Sequence, residues 1–463
     1  MTFAKAADEI RTYDNLHWFH PWEDMSHPGQ HDRMIVTGGE GIYITDETGK
    51  RFIDGPAGMW CVQIGYGVPE MAKAAAEQML AMPYNNPFGM TNAPAPRLAR
   101  KLKDLAPGDL GKVIFTTGGS SAVDSAIRFV QYRNNVLGRP EKKIILARED
   151  SYHGSTYLTA SLSGKVGNKA FFDHVEDWIR FVPSVHYYRF GKGQGLQAFC
   201  DERVADVEKR ILEIGPERIA AFIAEPIQAS GGVIVAPDGY LKRVWELCRK
   251  YDILYISDEV VTGFGRLGHW FSSKEVFGIE PDIITTAKGL TSGYLPLGAA
   301  LISERLVAEV SGDNSKSAWF GSGFTYAGHP VACAVGLKNI EIMEQTKLLE
   351  HVRAVAPHFQ ARLRALASHP IVGDVRGMGL VGCVDCRLSK DDSDPWNPRH
   401  AIGDRLDRHC QQLGLILRPI LNMCVFSPPL VISEAEIDRM FDIMGKGLDA
   451  TLDEMTREGL RVA

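Results

Sequence analysis

Short apolar runs alternate with amphipathic stretches between about residues 112 and 303. The apolar runs are KVIFTT, KIILA, IAAFIAEP, ILYISDE, IITTAK and LGAALIS, in which successive rather than alternate residues are apolar. Such runs are typical of strands that are buried on both faces of a sheet. Helical patterns such as SAVDSAIRFVQYRNNVL and GYLKRVWELCRKY lie between several of them. The alternation predicts an α/β fold with a mostly parallel sheet that is covered by helices on both sides.

The last third of the chain has a different pattern. Helical periodicity at about residues 329–345 and 349–366 precedes the glycine-punctuated segment VGDVRGMGLVGCVDC and a further helical pattern at about 401–413. Ser433 and Glu436 have the spacing of a capping box, which predicts the start of a final amphipathic helix. These patterns indicate a smaller α+β domain.

The opening segment is predicted to belong to the same small domain. Within it, GIYITDETGKRFID has the alternation and turn residues of a β-hairpin. We therefore predict a large central domain flanked by a smaller domain that is built from both chain ends. The predicted bounds are residues 1–62 for the N-terminal segment, 63–330 for the large domain and 331–463 for the C-terminal part of the small domain.

Composition and charge narrow the class of protein. The 463 residues include 51 Lys and Arg against 57 Asp and Glu, which gives a net charge of −6. A nucleic-acid-binding surface requires clustered positive charge, which this balance does not favour. No apolar run approaches the roughly 20 residues that span a bilayer, and MTFAKAADEI lacks the apolar stretch of a signal peptide. We expect a cytoplasmic protein that binds neither nucleic acid nor membranes.

Two groups of potential metal ligands do not have a spacing that supports a metal site. Cys383 and Cys386 would need a second Cys or His pair at a matching distance, and His409 with Cys410 alone follows them. The other group is a set of histidines interleaved with aromatic residues near the start, His17, His20, His27 and His31. We interpret the cysteines as buried thiols and the histidines as part of a packed irregular segment, and we predict no metal site.

Three polar features follow buried strands of the predicted sheet, at the edge where open α/β sheets bind ligands. Asp258 closes the run ILYISD, where an acid is costly unless a positive group meets it. Lys288 follows IITTA, and partial desolvation would make its amine a usable nucleophile. Gly118 to Ser121 precede an amphipathic helix, whose first N–H groups would form an anion site. Each feature alone also has a plain structural interpretation, as a cap, a solvated lysine or an ordinary helix start.

Together the three features match the requirements of pyridoxal 5′-phosphate. This cofactor needs an amine to form a Schiff base, a carboxylate to keep its pyridine nitrogen protonated and a site for its phosphate. Tyr152, in EDSYHGST, would supply a flat ring to stack on the pyridine. Residues 116–128 contain neither GxGxxG nor GxxxxGK[ST], so the dinucleotide and triphosphate fingerprints do not apply there.

The sequence resembles the class III pyridoxal-phosphate-dependent aminotransferases over nearly its whole length. DEVVTGFGRLG followed by KGLTSGYLPLGA is the signature stretch of that family. Four other segments are similar to its amine–pyruvate, or omega, transaminase branch: GPAGMWCVQIGYG, AEPIQASGGVIVAP, GFTYAGHPVACA and LILRPILNMCVFSPPLV. The resemblance implies a fold-type I transferase, with a large domain around a mostly parallel sheet, a smaller α+β domain, and assembly as a homodimer or a tetramer.

The resemblance also implies roles for individual residues. Lys288 would carry the cofactor as a Schiff base, and Asp258 would pair with its pyridine nitrogen. The other implied contacts are Gly119, Ser120 and Ser121 at the phosphate, Tyr152 and Val260 on opposite ring faces, Gln228 near the ring hydroxyl, and Thr325 at the phosphate of the neighbouring subunit. Ser121 departs from the family pattern GSEA, in which a glutamate occupies this position, so we expect phosphate binding with altered nearby charge.

The branch resemblance places Trp60 and Phe88 on the wall of the substrate pocket and Arg418 at the substrate carboxylate. A planar guanidinium binds a carboxylate through two parallel hydrogen bonds, which suits that role. A structural arginine at a strand end and two plain core aromatic residues are the alternatives. The implied reaction moves an amino group from a primary amine or omega-amino acid to pyruvate, and it yields an aldehyde or ketone together with alanine.

Other functions share most of these motifs. An aminomutase and a decarboxylating transaminase use the same cofactor, and a non-catalytic binding protein could keep the same fold. The presence of both Lys288 and Asp258 argues against the non-catalytic alternative. The sequence leaves the amine donor open among putrescine-like diamines, omega-amino acids such as β-alanine, taurine and arylalkylamines, and the acceptor open between pyruvate and 2-oxoglutarate.

Overall fold

The computed structural model of the protein describes residues 3–388 and 399–460. In chain order, its strands are β1 (Val36–Glu40), β2 (Tyr43–Asp46), β3 (Arg51–Asp54), β4 (Leu110–Thr116), β5 (Ile144–Arg148), β6 (Ile179–Val182), β7 (Ile219–Ala224), β8 (Ile227–Gln228), β9 (Ile234–Val235), β10 (Leu254–Asp258), β11 (Ile283–Thr286), β12 (Gly298–Ser303), β13 (Val372–Met378), β14 (Val381–Cys386), β15 (Leu415–Ile416), β16 (Arg418–Ile420) and β17 (Met423–Phe426). The α-helices are α1 (Phe3–His17), α2 (Ala57–Trp60), α3 (Pro69–Ala81), α4 (Pro94–Leu105), α5 (Gly119–Val136), α6 (Tyr157–Leu162), α7 (Tyr187–Phe190), α8 (Leu196–Ile214), α9 (Tyr240–Lys250), α10 (Ser272–Glu275), α11 (Glu304–Ala308), α12 (Pro330–Gln345), α13 (Leu348–Ala365), α14 (Ile402–Gln412) and α15 (Glu434–Arg457).

A seven-stranded sheet forms the centre of the molecule, in the order β4-β12-β11-β10-β7-β5-β6. Strands β11, β10, β7, β5 and β6 pair in parallel, whereas β12 is antiparallel to both β11 and β4. The prediction of an α/β fold with a mostly parallel sheet is confirmed. Because β7, β10 and β11 are parallel neighbours, the residues that follow them emerge at one edge of the sheet.

Burial on both faces explains the continuous apolar runs of the sequence. In β5, Ile145 packs on the side of α5, and Leu146 packs on the side of α8 and α9. Successive strand residues point to opposite faces, so a sheet that is covered on both sides requires apolar residues at successive positions.

Both chain ends contribute to the smaller part of the fold. The predicted hairpin forms β2 and β3, and β15 from the C-terminal region pairs in parallel with β3, with Ile416 opposite Asp54. A second, antiparallel sheet has the order β13-β14-β17-β16. The predicted capping box is present at the start of α15, where the Ser433 hydroxyl accepts from the backbone N–H of Glu436 at 3.3 Å. The domain bounds at residues 62/63 and 330/331 stay a prediction.

The described residues form neither a membrane-spanning helix nor a cluster of metal ligands. Within residues 3–388 and 399–460, no helix is long and apolar enough to cross a membrane. In the same ranges, no group of three or more His, Cys, Asp or Glu residues is placed to hold a metal ion. Cys383 and Cys386 are both buried in β14.

Candidate active site

A cavity of about 210 Å³ lies at the carboxyl edge of the central sheet, beside the start of α5. The residues singled out from the sequence that line it are Trp60, Gly119, Ser120, Tyr152, Asp258, Val260, Lys288 and Arg418. Its wall also contains residues that the sequence analysis missed, among them Trp22, His153, Glu225 and Ser230. Charged, polar and aromatic groups from distant parts of the chain therefore meet around one space.

Asp258 is the last residue of β10 and is buried, with 4% of its surface exposed. Its Oδ2 accepts a hydrogen bond of 2.7 Å from Nδ1 of His153, and its Oδ1 accepts from the backbone N–H of Val260 at 3.3 Å and the hydroxyl of Thr285 at 3.2 Å. An ionised carboxylate only accepts, so Nδ1 of His153 carries a proton in this pair. The other ring nitrogen of His153 is buried and has no hydrogen-bond partner among the described residues. The histidine thus fixes the orientation of the acid at the cavity wall.

Lys288 follows β11 and differs from a solvated loop lysine. Its backbone φ of 41° lies in the left-handed region, which a lysine rarely adopts. Its Nζ lies 5.2 Å from the centroid of the Trp60 ring. Burial lowers the pKa of Lys288, although the nearby Cys61 and Asp258 act in the opposite direction. A lowered pKa leaves a larger fraction of neutral, nucleophilic amine near neutral pH.

The start of α5 packs closely against the loop that follows β10. A Cβ atom at Gly119 would lie 3.0 Å from Cγ1 and 3.1 Å from Cγ2 of Val260, so a larger residue there requires a shift. The Ser120 hydroxyl accepts a hydrogen bond of 3.1 Å from the backbone N–H of Ser155. The first N–H groups of a helix lack intrahelical acceptors, and the helix dipole is positive at this end. The start of α5 is therefore suited to an anion at the cavity wall.

Three of the residues predicted to contact the cofactor lie outside the cavity wall: Ser121, Gln228 and Thr325. Ser121 donates its hydroxyl to the backbone carbonyl of Gly118 at 3.0 Å, so this side chain supports the start of α5. Gln228 is buried in β8 and donates its Nε2 to the carbonyl of Glu149 at 2.8 Å. The Oε1 of Gln228 is buried and has no hydrogen-bond partner within the described part of the chain.

Glu225 is a second buried acid at this cavity, immediately after β7. Its Oε1 accepts a hydrogen bond of 2.9 Å from the backbone N–H of Tyr152, whose ring lines the same cavity. Burial raises the pKa of Glu225 to about 7, although His153 acts in the opposite direction. The signal that identified Asp258, an acid directly after an apolar run, is also present for Glu225 in IAAFIAEP and could have identified it.

Arg418 reaches the cavity from the first position of β16. Its guanidinium carbon lies 4.5 Å from the centroid of the Trp60 ring, and Nη1 contacts the sulfur of Met59. A cation over an aromatic face is stabilised by the ring electrons, so Trp60 supports this orientation of the guanidinium. Burial lowers the pKa of Arg418, with Tyr152 acting in the opposite direction.

Trp22 brings the N-terminal segment to the cavity. Its ring centroid lies 6.4 Å from that of Tyr152, and its φ of 63° is in the left-handed region. Glu23, the next residue, pairs with Arg33 at 2.6 Å and with His31 at 2.9 Å, which fixes the surrounding turns. The sequence contained no periodicity that would have placed this segment at the site, because ion pairs between irregular turns determine its course.

Phe88 and Thr325 lie on the surface of the single chain. Phe88 is 75% exposed and does not line the cavity. Thr325 is exposed, and its backbone carbonyl accepts a hydrogen bond of 3.0 Å from the hydroxyl of Tyr84. The rings of Tyr84 and Tyr326 lie 5.9 Å apart, so the two exposed segments that carry Phe88 and Thr325 contact each other.

Comparison with known proteins gives a family match over most of the chain. The model of the family described as aminotransferase class-III matches residues 25–448. The putrescine–pyruvate aminotransferase of Pseudomonas aeruginosa is 40% identical over 437 residues, which cover 94% of this chain and 94% of that protein. The mitochondrial gamma-aminobutyrate transaminase 1 of Oryza sativa subsp. indica is 39% identical over 421 residues, which cover 90% of this chain and 81% of that protein.

Solved structures match over the same extent. An omega transaminase from Pseudomonas jessenii in complex with PMP has a TM-score of 0.92 and 37% identity, and the match covers 96% of this chain and 98% of that one. An (S)-enantioselective omega-transaminase from Thermomicrobium roseum has a TM-score of 0.92 and 37% identity, with 96% and 99% of the two chains covered. The fold expected from the resemblance is confirmed by these matches.

Proposed function

The chain belongs to the class-III aminotransferases, a fold-type I family that depends on pyridoxal phosphate, and we propose that it moves an amino group from a primary amine or omega-amino acid to pyruvate. The products are an aldehyde or ketone and alanine. The observation that supports this most strongly is that Lys288, Asp258 and Arg418 line one cavity although they are far apart in sequence. These residues supply an amine, an acid and a carboxylate-binding cation.

The donor groups of the cavity fit pyridoxal phosphate. When bound, this cofactor supplies an aldehyde that takes up an amino group and a ring that withdraws electrons from the adjacent carbon. We propose that Gly119 and Ser120 hold its phosphate and that Asp258 pairs with its ring nitrogen. The tight packing at Gly119 and the anion site at the start of α5 support this assignment. The remaining proposed contacts are those of Tyr152 and Val260 with the ring faces, Gln228 with the ring hydroxyl and Ser121 near the phosphate.

Lys288 is proposed as the residue that anchors the cofactor and moves protons. With the cofactor bound, the free amine of Lys288 would remove the proton from the carbon that bears the donor's amino group. Its lowered pKa supports this role, because a neutral amine is the form that accepts a proton. The buried, oriented carboxylate of Asp258 would keep the ring nitrogen protonated, which strengthens electron withdrawal.

Arg418 is proposed to bind the carboxylate of pyruvate. It is a partly buried cation with its guanidinium directed over Trp60, on the same wall as Lys288. A guanidinium in this place would orient the keto carbon of the acceptor toward the reacting amine. A donor without a carboxylate would make no ion pair with Arg418. Loss of Arg418 should therefore weaken the binding of the acceptor more than the binding of such a donor. Trp60 and Phe88 are the proposed aromatic walls of the substrate pocket.

The proposed assembly is a homodimer in which Thr325 contacts the phosphate site of the partner subunit. The exposed aromatic residues on the segments around Phe88 and Thr325 support this assembly, since large exposed apolar groups are typical of interfaces. In such a dimer, Phe88 would also lie near the partner's cavity. Sedimentation velocity of the purified protein tests the assembly, and a monomer at micromolar concentration would contradict it.

The proposed reaction is tested with the purified, cofactor-loaded protein and a panel of donors. Putrescine, 4-aminobutyrate, β-alanine, taurine and an arylalkylamine are each combined with pyruvate or with 2-oxoglutarate, and alanine, glutamate and carbon dioxide are quantified. Alanine formation from pyruvate without carbon dioxide supports the proposal. Glutamate as the main product would overturn the choice of acceptor, carbon dioxide would indicate a decarboxylating enzyme, and the absence of any amino transfer would refute the function. Lys288→Ala provides the background.

A further inference from the structure

Lys165 is a buried cation behind Ser230, a residue of the cavity wall. It lies three residues after α6 and has only 7% of its surface exposed. Its Nζ donates hydrogen bonds to the backbone carbonyl of Ser230 at 2.8 Å and to the Ser230 hydroxyl at 3.3 Å. Ser230 itself lines the cavity, so one residue separates the ammonium of Lys165 from the space where substrate would bind.

Three charged groups act electrostatically on this ammonium. Arg418 repels it, whereas Glu225 and Asp150 attract it. Burial is the larger effect and lowers the pKa of Lys165 to about 8. Lys165, behind Ser230, and Arg418, on the cavity wall, are therefore two positive groups close enough to act on each other.

The loop that separates Lys165 from the cavity is held from its other side as well. A Cβ atom at Gly231 would lie 2.5 Å from the backbone carbonyl oxygen of Asp150, and Gly232 has a φ of 103°. The Nε of Arg376, from β13, donates to the carbonyl of Gly232 at 2.7 Å. This packing fixes the position of Ser230 and, through it, the position of the Lys165 ammonium.

We propose that Lys165 is a specificity-determining residue, which adds positive potential to the Arg418 subsite and so favours acceptors and ligands that carry a carboxylate. This inference rests on the proposed function and names a determinant of its acceptor class. Lys165 acts on the substrate through its charge and through the fixed position of Ser230, while Arg418 makes the direct ion pair. A buried charge is screened less than a surface charge, so its field persists across the cavity.

The test compares three variants that separate charge from hydrogen bonding. Lys165→Met removes both, Lys165→Gln keeps a donor for Ser230 without the charge, and Lys165→Arg keeps the charge. With 1-phenylethylamine as donor, Lys165→Met and Lys165→Gln should raise KM for pyruvate about tenfold and leave KM for butanal, which has no carboxylate, within about twofold. Lys165→Arg should resemble the wild type. Lys169→Met, which removes a neighbouring lysine outside the cavity wall, is the matched control.

A second readout does not depend on turnover. Acetate binding to each holoenzyme is followed by the perturbation of the cofactor's visible absorption, and its dissociation constant should rise about tenfold in Lys165→Met and Lys165→Gln. In the wild type, carboxylate affinity should also fall as the pH rises above about 8, where the Lys165 ammonium loses its proton, and Lys165→Arg should remove this dependence.

The outcomes separate this inference from the proposed function. A wild type that does not transfer amino groups to pyruvate would refute the function itself. An active wild type in which Lys165→Gln binds pyruvate and acetate normally would show that Lys165 only holds the loop, and equal losses for pyruvate and butanal would show a general structural effect. Either result overturns the inference. If Lys165→Met does not fold, Lys165→Gln and Lys165→Arg still decide between charge and hydrogen bonding.

Discussion

Adding one methyl group at Gly119 should weaken cofactor binding by a predictable amount. In Gly119→Ala, the new Cβ would lie 3.0 and 3.1 Å from the two methyl carbons of Val260, whereas carbon atoms in ordinary contact lie roughly 3.5–4.0 Å apart. Val260 or the start of α5 must therefore move by a few tenths of an ångström. Overpacking of this kind costs about 1–3 kcal/mol. If relaxation displaces the proposed phosphate site, the dissociation constant of pyridoxal phosphate should rise between about 5-fold and 150-fold.

The measurement is a titration of the apo-protein with pyridoxal phosphate, followed by tryptophan fluorescence. Gly118→Ala is the matched control, because a Cβ there would meet nothing within 4 Å and its φ of 176° is extended backbone that alanine adopts freely. In the double variant Gly119→Ala/Val260→Ala, the methyl groups that collide are gone. Two losses of affinity are compared: that of the double variant relative to Val260→Ala, and that of Gly119→Ala relative to the wild type. The first should be much smaller than the second.

Equal losses in Gly118→Ala and Gly119→Ala would refute the reasoning, because they would show that any alanine at the start of α5 weakens binding. A double variant in which the two effects simply add would also refute it, since the contact with Val260 would then not be the cause. Unchanged affinity in Gly119→Ala would show that this helix start does not hold the phosphate.

Three further predictions test other residues of the site. Lys288→Ala should lose both amino transfer and the visible absorption of the covalently held cofactor, while its thermal unfolding stays cooperative. Retained turnover would exclude Lys288 as the essential amine. Arg418→Ala should raise KM for pyruvate by about 10–100-fold, because the carboxylate of pyruvate loses its ion pair. The single-turnover reaction of a simple arylalkylamine, which has no carboxylate, should change little. Equal damage to both half-reactions would indicate a structural arginine. Burial raises the pKa of Glu225 from 4.5 to about 7, so the folded protein binds this proton more tightly than the unfolded chain does. The resulting contribution to the free energy of unfolding is fully present below pH 4.5 and is lost as the pH rises toward 7. Glu225→Gln should therefore flatten the decline of the melting temperature between about pH 5 and 7, and identical slopes for variant and wild type would contradict the assigned pKa.

The sequence was most informative where both faces of the sheet are buried. Continuous apolar runs predicted the central strands, and the rule that strand ends carry ligand groups placed Asp258 and Lys288 correctly at one edge. Strands β10 and β11 begin 29 positions apart in the sequence, at Leu254 and Ile283. Their parallel pairing nevertheless brings Asp258 and Lys288 to the same cavity. This part of the site depends on local apolar patterning and on sheet topology, both of which are visible in the sequence.

The residues that were missed depend on tertiary contacts without a periodic signal. His153 is defined by its hydrogen bond to Asp258, which lies 105 residues away along the chain. Trp22 reaches the cavity because ion pairs hold an irregular segment in place. The environment of Ser121 was also not predictable: its hydroxyl bonds locally to the carbonyl of Gly118, whereas the neighbouring Ser120 lines the cavity. Such side-chain directions follow from packing at each position and not from residue type.

The parallel pairing of β3 with β15 has a consequence for how the enzyme is made in the cell. Trp60 follows β3 and Arg418 follows β15, so the stacked pair on the substrate wall exists only after strands from opposite regions of the chain have met. During translation, the ribosome completes the central sheet long before it reaches Arg418. A nascent chain can thus assemble the proposed cofactor cradle early, while the ability to select an acceptor arises only near the end of synthesis.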